Sequence, residues 1–225
     1  MLPVKLLNGR IACALALLLV CSGCDRRGGD PGAGAPAVVR DTIDHAPADP
    51  RTFAIPRITP EGIGTARVGM TLESIRRELA PPLRLGELDE RFMVDLVAFP
   101  VLAGPDTLYS LVFAAGEAIT EGTVPLLVAT SHEEVQTPDG VGPGTSLGEA
   151  ARRYGNPVLS YSVYDEMREY ASFPDYTNTR VRFRIAPGDS TLLAGKYSTN
   201  DEYNETDVFD GSARIGMIFV SLRRD

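Results

Sequence analysis

Five groups of residues in this sequence are of types that do chemistry or bind. Ser131-His132-Glu133-Glu134 sets an imidazole beside two carboxylates, the makings of a general base or a metal ligand. The chain has two histidines, and the other, His45, lies far upstream. A zinc site needs three or four ligands, and no Gly-x-Ser-x-Gly elbow supplies a nucleophile. His132 is therefore expected in a solvated loop, with a hydrolase built on it kept as an alternative. Asn200 to Gly211 holds five carboxylates, Asp201, Glu202, Glu205, Asp207 and Asp210. Calcium needs oxygens converging from a tight loop, and this spacing lacks the Asp-x-Asp-x-Asp-Gly alternation. An acidic hairpin loop is the expectation for 201–210, and a calcium- or small-solute-binding role is the second alternative. Seven of the eight tyrosines fall between 154 and 203. Tyr161, Tyr164, Tyr170 and Tyr176 follow one another closely, and tyrosine gives large contact area at little entropic cost. These four are the candidate partner-binding residues. Arg180, Arg182 and Arg184 alternate with Val181, Phe183 and Ile185, so one strand face is basic and the other apolar. Such a row either grips a carboxylate or phosphate or pairs with its strand neighbours.

The fifth group is cysteine. The three thiols are Cys13, Cys21 and Cys24, so nothing beyond residue 24 can form a disulfide, a thiolate metal site or a cysteine nucleophile. Lys5 and Arg10 precede an apolar run from Ile11 to Val20, and Cys21-Ser22-Gly23-Cys24 ends it. That is the plan of a secretory signal. Ten residues of helix span about 15 Å, half of a bilayer core. The end of the run resembles the bacterial lipobox, in which an aliphatic residue and two small ones precede the cysteine that takes diacylglycerol. Ser22 and Gly23 are the small pair and Cys24 the acceptor, while Cys21 stands where Leu or Val is usual. The resemblance implies cleavage after residue 23 and a diacylglyceryl group on Cys24, usually with a further acyl chain on its amine. Two or more chains anchor a protein stably where one does not. An ordinary signal peptide releasing a soluble protein is the other outcome.

The segment from 24 to 51 is rich in Gly, Pro, Ala and polar residues and is expected to be a flexible tether. Removing residues 1–23 takes away Lys5 and Arg10 and leaves 20 basic against 30 acidic residues, a net charge of −10. An acidic chain is a poor match for nucleic acid and for anionic headgroups. Lipid on Cys24 would therefore carry the attachment to the membrane.

The elements that must position these groups are legible as a repeated pattern. Thr59-Pro60-Glu61-Gly62-Ile63-Gly64 recurs as Thr137-Pro138-Asp139-Gly140-Val141-Gly142, and Gly69-Met70-Thr71-Leu72 as Gly144-Thr145-Ser146-Leu147. Thr71 and Ser146 are helix N-cap residues, the second with Glu149 in capping-box spacing. Leu72, Ile75 and Leu79 share a helix face, as do Leu147, Ala150 and Tyr154. Pro81-Pro82 and Gly155-Asn156-Pro157 stop helices of about nine residues, too short to stand alone. Strands are expected over 92–99, 108–113, 124–130, 168–173, 180–185 and 215–220. The expected fold is α+β: two duplicated halves, 52–136 and 137–225, each a helix against antiparallel strands.

This order resembles the SmpA/OmlA outer-membrane-assembly lipoproteins and the β-lactamase-inhibitor-protein-like domains. The residues that carry it are the Gly-x-[Thr/Ser]-Leu helix start and Arg152-Arg153-Tyr154-Gly155-Asn156-Pro157. The resemblance implies a protein-binding module without catalytic residues. The expectation is thus a non-enzymatic envelope lipoprotein facing the periplasm or exterior, needing no cofactor or metal, with another envelope protein as partner.

Overall fold

The computed structural model describes residues 53–186 and 193–222. Cys24, the signal segment 1–23 and the tether 24–51 lie outside the described residues.

Most of the regular secondary structure is antiparallel sheet. Three two-residue strands, β1 (Ile58–Thr59), β2 (Gly62–Ile63) and β3 (Ala66–Arg67), form a small meander. Then come α1 (Leu72–Glu78), β4 (Leu83–Leu85), β5 (Asp89–Met93), β6 (Leu96–Ala103), β7 (Asp106–Ala114) and β8 (Leu127–Thr130). The chain continues with α2 (Leu147–Tyr154), β9 (Val158–Ser162), β10 (Glu169–Ser172), β11 (Val181–Ile185), β12 (Tyr203–Thr206) and β13 (Ile215–Ser221). Ten strands build one sheet in the order β12-β9-β10-β11-β13-β8-β7-β6-β4, with β5 also on β6.

The expected α+β fold of two duplicated helix-plus-strand halves is corrected by this topology. The helices have seven and eight residues and form no layer of their own. The sheet dominates, and it runs unbroken through the middle of the chain. The last strand, β13, pairs with β8 on one side and β11 on the other. The two Gly-rich motifs also differ: the first folds as the β1–β3 meander, the second as turns with no strand. Both instead clamp the ends of β13, since Gly144 donates its amide to Ile215 and Gly69 to Leu222, each at 2.8 Å.

Local expectations fare better. Thr71 accepts the Ser74 amide and Ser146 the Glu149 amide, as N-caps should. The Glu149 side chain does not close the capping box; it pairs with Arg153 at 3.0 Å, one helical turn on. The apolar run 92–99 is broken at Val94-Asp95, where β5 turns into β6.

Strand alternation sorts the side chains into two cores. Leu111, Val128, Phe183, Ile218 and Val220 point to one face and pack with Leu72, Ile75, Leu147, Ala150 and the meander. On the other face Ala98, Val112, Ala129 and Phe219 form a smaller cluster, partly covered by Phe92, Met93 and Met217. Among the described residues no helix lies over this second face, and none is long and apolar enough to cross a membrane.

Candidate functional site, an arginine-bearing open sheet face

The second face carries the chemistry. In β11, Val181, Phe183 and Ile185 are buried in the main core, which turns Arg182 and Arg184 to the open side. Register then fixes their neighbours. Arg184 stands between Tyr170 of β10 and Met217 of β13, and Arg182 beside Phe219. The row continues from Phe219 to Ala129, Ser110 and Pro100.

The Arg182 guanidinium sits 3.9 Å from the centroid of the Tyr170 ring. Such a contact is worth about 0.5–1 kcal/mol at an exposed site. The guanidinium N–H groups turned away from the ring remain donors for other acceptors. No carboxylate lies within ion-pair distance of Arg182 or Arg184 among the described residues. Arg168, by contrast, is held by Asp165 at 2.8 Å and by Glu166. Burial pushes the Tyr170 phenol above its usual range, and the Arg182 charge draws it partly back. In a chain with eight more acidic than basic residues, two unpaired guanidinium groups on one strand face are a local reversal of sign.

Two cavities flank this pair. One, of about 520 Å³, is lined by Glu90 to Val94 on one side and by Glu166, Arg168 and Arg184 on the other. In a flat sheet β5 and β11 would be five strand spacings apart, roughly 24 Å. The sheet therefore curls over its open face, and β5 forms one rim of a trough. The other cavity, of about 350 Å³, opens beside Arg182 where the β10–β11 ladder ends at Ala171↔Phe183.

The four tyrosines singled out in the sequence do not share one surface. Tyr161 is 3% exposed and packs edge-on against Tyr197 on the core side. Tyr176 packs against Tyr154 and Phe183, also in the main core. Tyr164 is 77% exposed, in the turn between β9 and β10, and donates to Glu202 at 2.7 Å. Tyr170 alone joins the arginines. The period-two pattern that flagged the arginines was the better signal; their aromatic neighbour lies on another strand and shows no spacing relation to them.

The acidic segment does not build a converging oxygen site. Residues 203–206 are the edge strand β12 rather than loop, with Asn204 buried and bonded to Thr199 and Asp201. Glu202 accepts from Tyr164, Glu205 from Tyr203 and Asp210 from Ser212. His132 Nδ1 accepts the Glu134 amide in a turn after β8, and its own amide donates to Thr130. Among the described residues no group of three or more His, Cys, Asp or Glu is placed to hold a metal ion.

No family model matches the chain, and no curated protein matches it in sequence. The outer-membrane-assembly and inhibitor-protein resemblances thus gain no support from the comparisons. Among solved structures, the uncharacterized protein yfeY from Escherichia coli aligns at 12% identity with a TM-score of 0.43. The alignment covers 73% of this chain and 99% of that one.

Proposed function

We propose that this chain is a bacterial envelope lipoprotein, acylated on Cys24, whose domain is a non-catalytic module binding another envelope protein. The observation that carries the binding part is the open sheet face, where Tyr170, Arg182 and Arg184 stand beside Phe219 and Met217. Tyrosine and arginine dominate interface hot spots, and they work best where apolar side chains exclude water around them. The unpaired guanidinium groups select a partner surface that presents carboxylates. The anchoring part rests on the Ser22-Gly23-Cys24 pattern and the tether-like composition that follows it.

The test uses the full chain in its native envelope. Cys24→Ala abolishes incorporation of labelled palmitate and releases the protein from membranes. Arg184→Glu with Tyr170→Ala leaves the protein anchored and folded but reduces crosslinking to its partner at least tenfold. A double variant that keeps its crosslinked adduct removes the open face from the account. A Cys24→Ala form that stays acylated removes the anchor.

A further inference from the structure

We infer that the smaller cavity beside Arg182 binds a ring-bearing carboxylate, a small ligand distinct from the protein partner of the open face. The cavity exists because β10 and β11 part company. Their ladder has two pairs, Tyr170↔Arg184 and Ala171↔Phe183, and beyond it the connecting loop swings away. The opening holds about 350 Å³, at the lower end of small-molecule sites.

Its lining is graded. The bottom is aromatic: Phe173, Phe183 and Tyr176 lie there, with Phe173 and Phe183 meeting edge-to-face at 5.2 Å. The mouth is polar, with the exposed hydroxyls of Ser172, Thr177 and Thr179 around it. Among the described residues of the lining Arg182 is the one that carries a charge, and none is a carboxylate. The contact with the Tyr170 ring restrains the guanidinium, so a bound carboxylate has less of its freedom to remove. A ligand with an apolar ring and one carboxylate satisfies both ends at once. The ring goes inward to offset or edge contacts with the aromatic floor. The carboxylate stays at the mouth, taking the two-pronged fork of Arg182 where its desolvation is small. A cation or a neutral chain matches neither the charge nor the floor. The larger cavity differs in kind, since Glu90 and Glu166 line it together with its arginines.

The experiment is fluorine NMR of 4-fluorobenzoate and 4-fluorobenzamide against the full chain in detergent micelles, with empty micelles as control. The expected result is saturable broadening of the acid at millimolar concentration, with the amide at least about tenfold weaker. Arg182→Gln brings the acid down to the level of the amide, while Arg76→Gln on α1 leaves it unchanged. Equal binding of acid and amide, indifference to Arg182→Gln, or no broadening by the acid at about 10 mM overturns the inference. Partner crosslinking through Tyr170 and Arg184 is read separately, so either proposal can fail without the other.

Discussion

The Tyr197 hydroxyl donates to the Glu169 carboxylate at 2.8 Å, tying β10 to the segment that precedes β12. The Ala194 and Gly195 amides donate to the same carboxylate, also at 2.8 Å. Glu169 is 5% exposed, and no cation pairs with it among the described residues. Three donors from one segment thus stand in for a counter-charge. Truncating the acceptor leaves them buried and unpaired, at a cost of about 1–3 kcal/mol for the first and less for each that reaches water. Glu169→Ala is therefore expected to lower unfolding stability by about 3 kcal/mol, and Glu169→Gln by about half of that. Urea unfolding measures both. An alanine variant within about 0.5 kcal/mol of the parent would show that the segment is held by other contacts.

Burial pushes two phenols far up. Tyr154 rises to about 12, first through burial and then through its bonds to Thr137 and Asp139, which act in opposite directions. Tyr197 is raised further, by burial and by Glu169. A phenol whose value is higher folded than unfolded favours the native state while it is neutral. That contribution is complete below about pH 10, the unfolded value, and is lost as pH climbs through the folded one. Stability is expected to hold to about pH 9.5 and to fall steeply between about pH 10 and 12. Absorbance at 295 nm should show Tyr154 ionising only as the fold is lost. Tyr154 titrating near pH 10 with the fold intact would contradict this.

The two glycines Gly62 and Gly116 both have positive φ but differ in surroundings. A Cβ on Gly62 would lie 1.8 Å from the Ala66 carbonyl oxygen, while one on Gly116 meets nothing within 4 Å. Gly116→Ala is expected to cost about 1 kcal/mol, the strain of a left-handed alanine. Gly62→Ala forces the meander apart and is expected to cost about 3 kcal/mol or more. Thermal unfolding of the pair reads the difference, and equal losses would mean that the meander contributes no rigidity.

The sequence made some of this legible and hid the rest for physical reasons. Thr71, Ser146 and the arginine alternation were readable because caps and strand faces are local, set by neighbours two to four residues away. Strands of two or three residues, such as β1, β2, β3 and β4, carry no period. Asp201, Glu202 and Glu205 give β12 the composition of a loop and mask the buried Asn204 that anchors it. The fold class went wrong at β13. Its pairing with both β8 and β11 is a contact between distant parts of the chain, and a repeated Gly-rich motif gave no sign of it. The four tyrosines are divided between the faces for the same reason. Nearness in sequence puts Tyr161 and Tyr170 on adjacent strands, but register sends them to opposite faces.

The central claim is that the open face, not the helical side, meets the partner. A photo-crosslinking residue placed at Leu127 or Met217 on the open face, or at Arg76 on α1, tests it in the living envelope. One discrete adduct is expected from positions 127 and 217, lost with Tyr170→Ala, and none from position 76. An adduct from position 76 with none from 127 or 217 would contradict it.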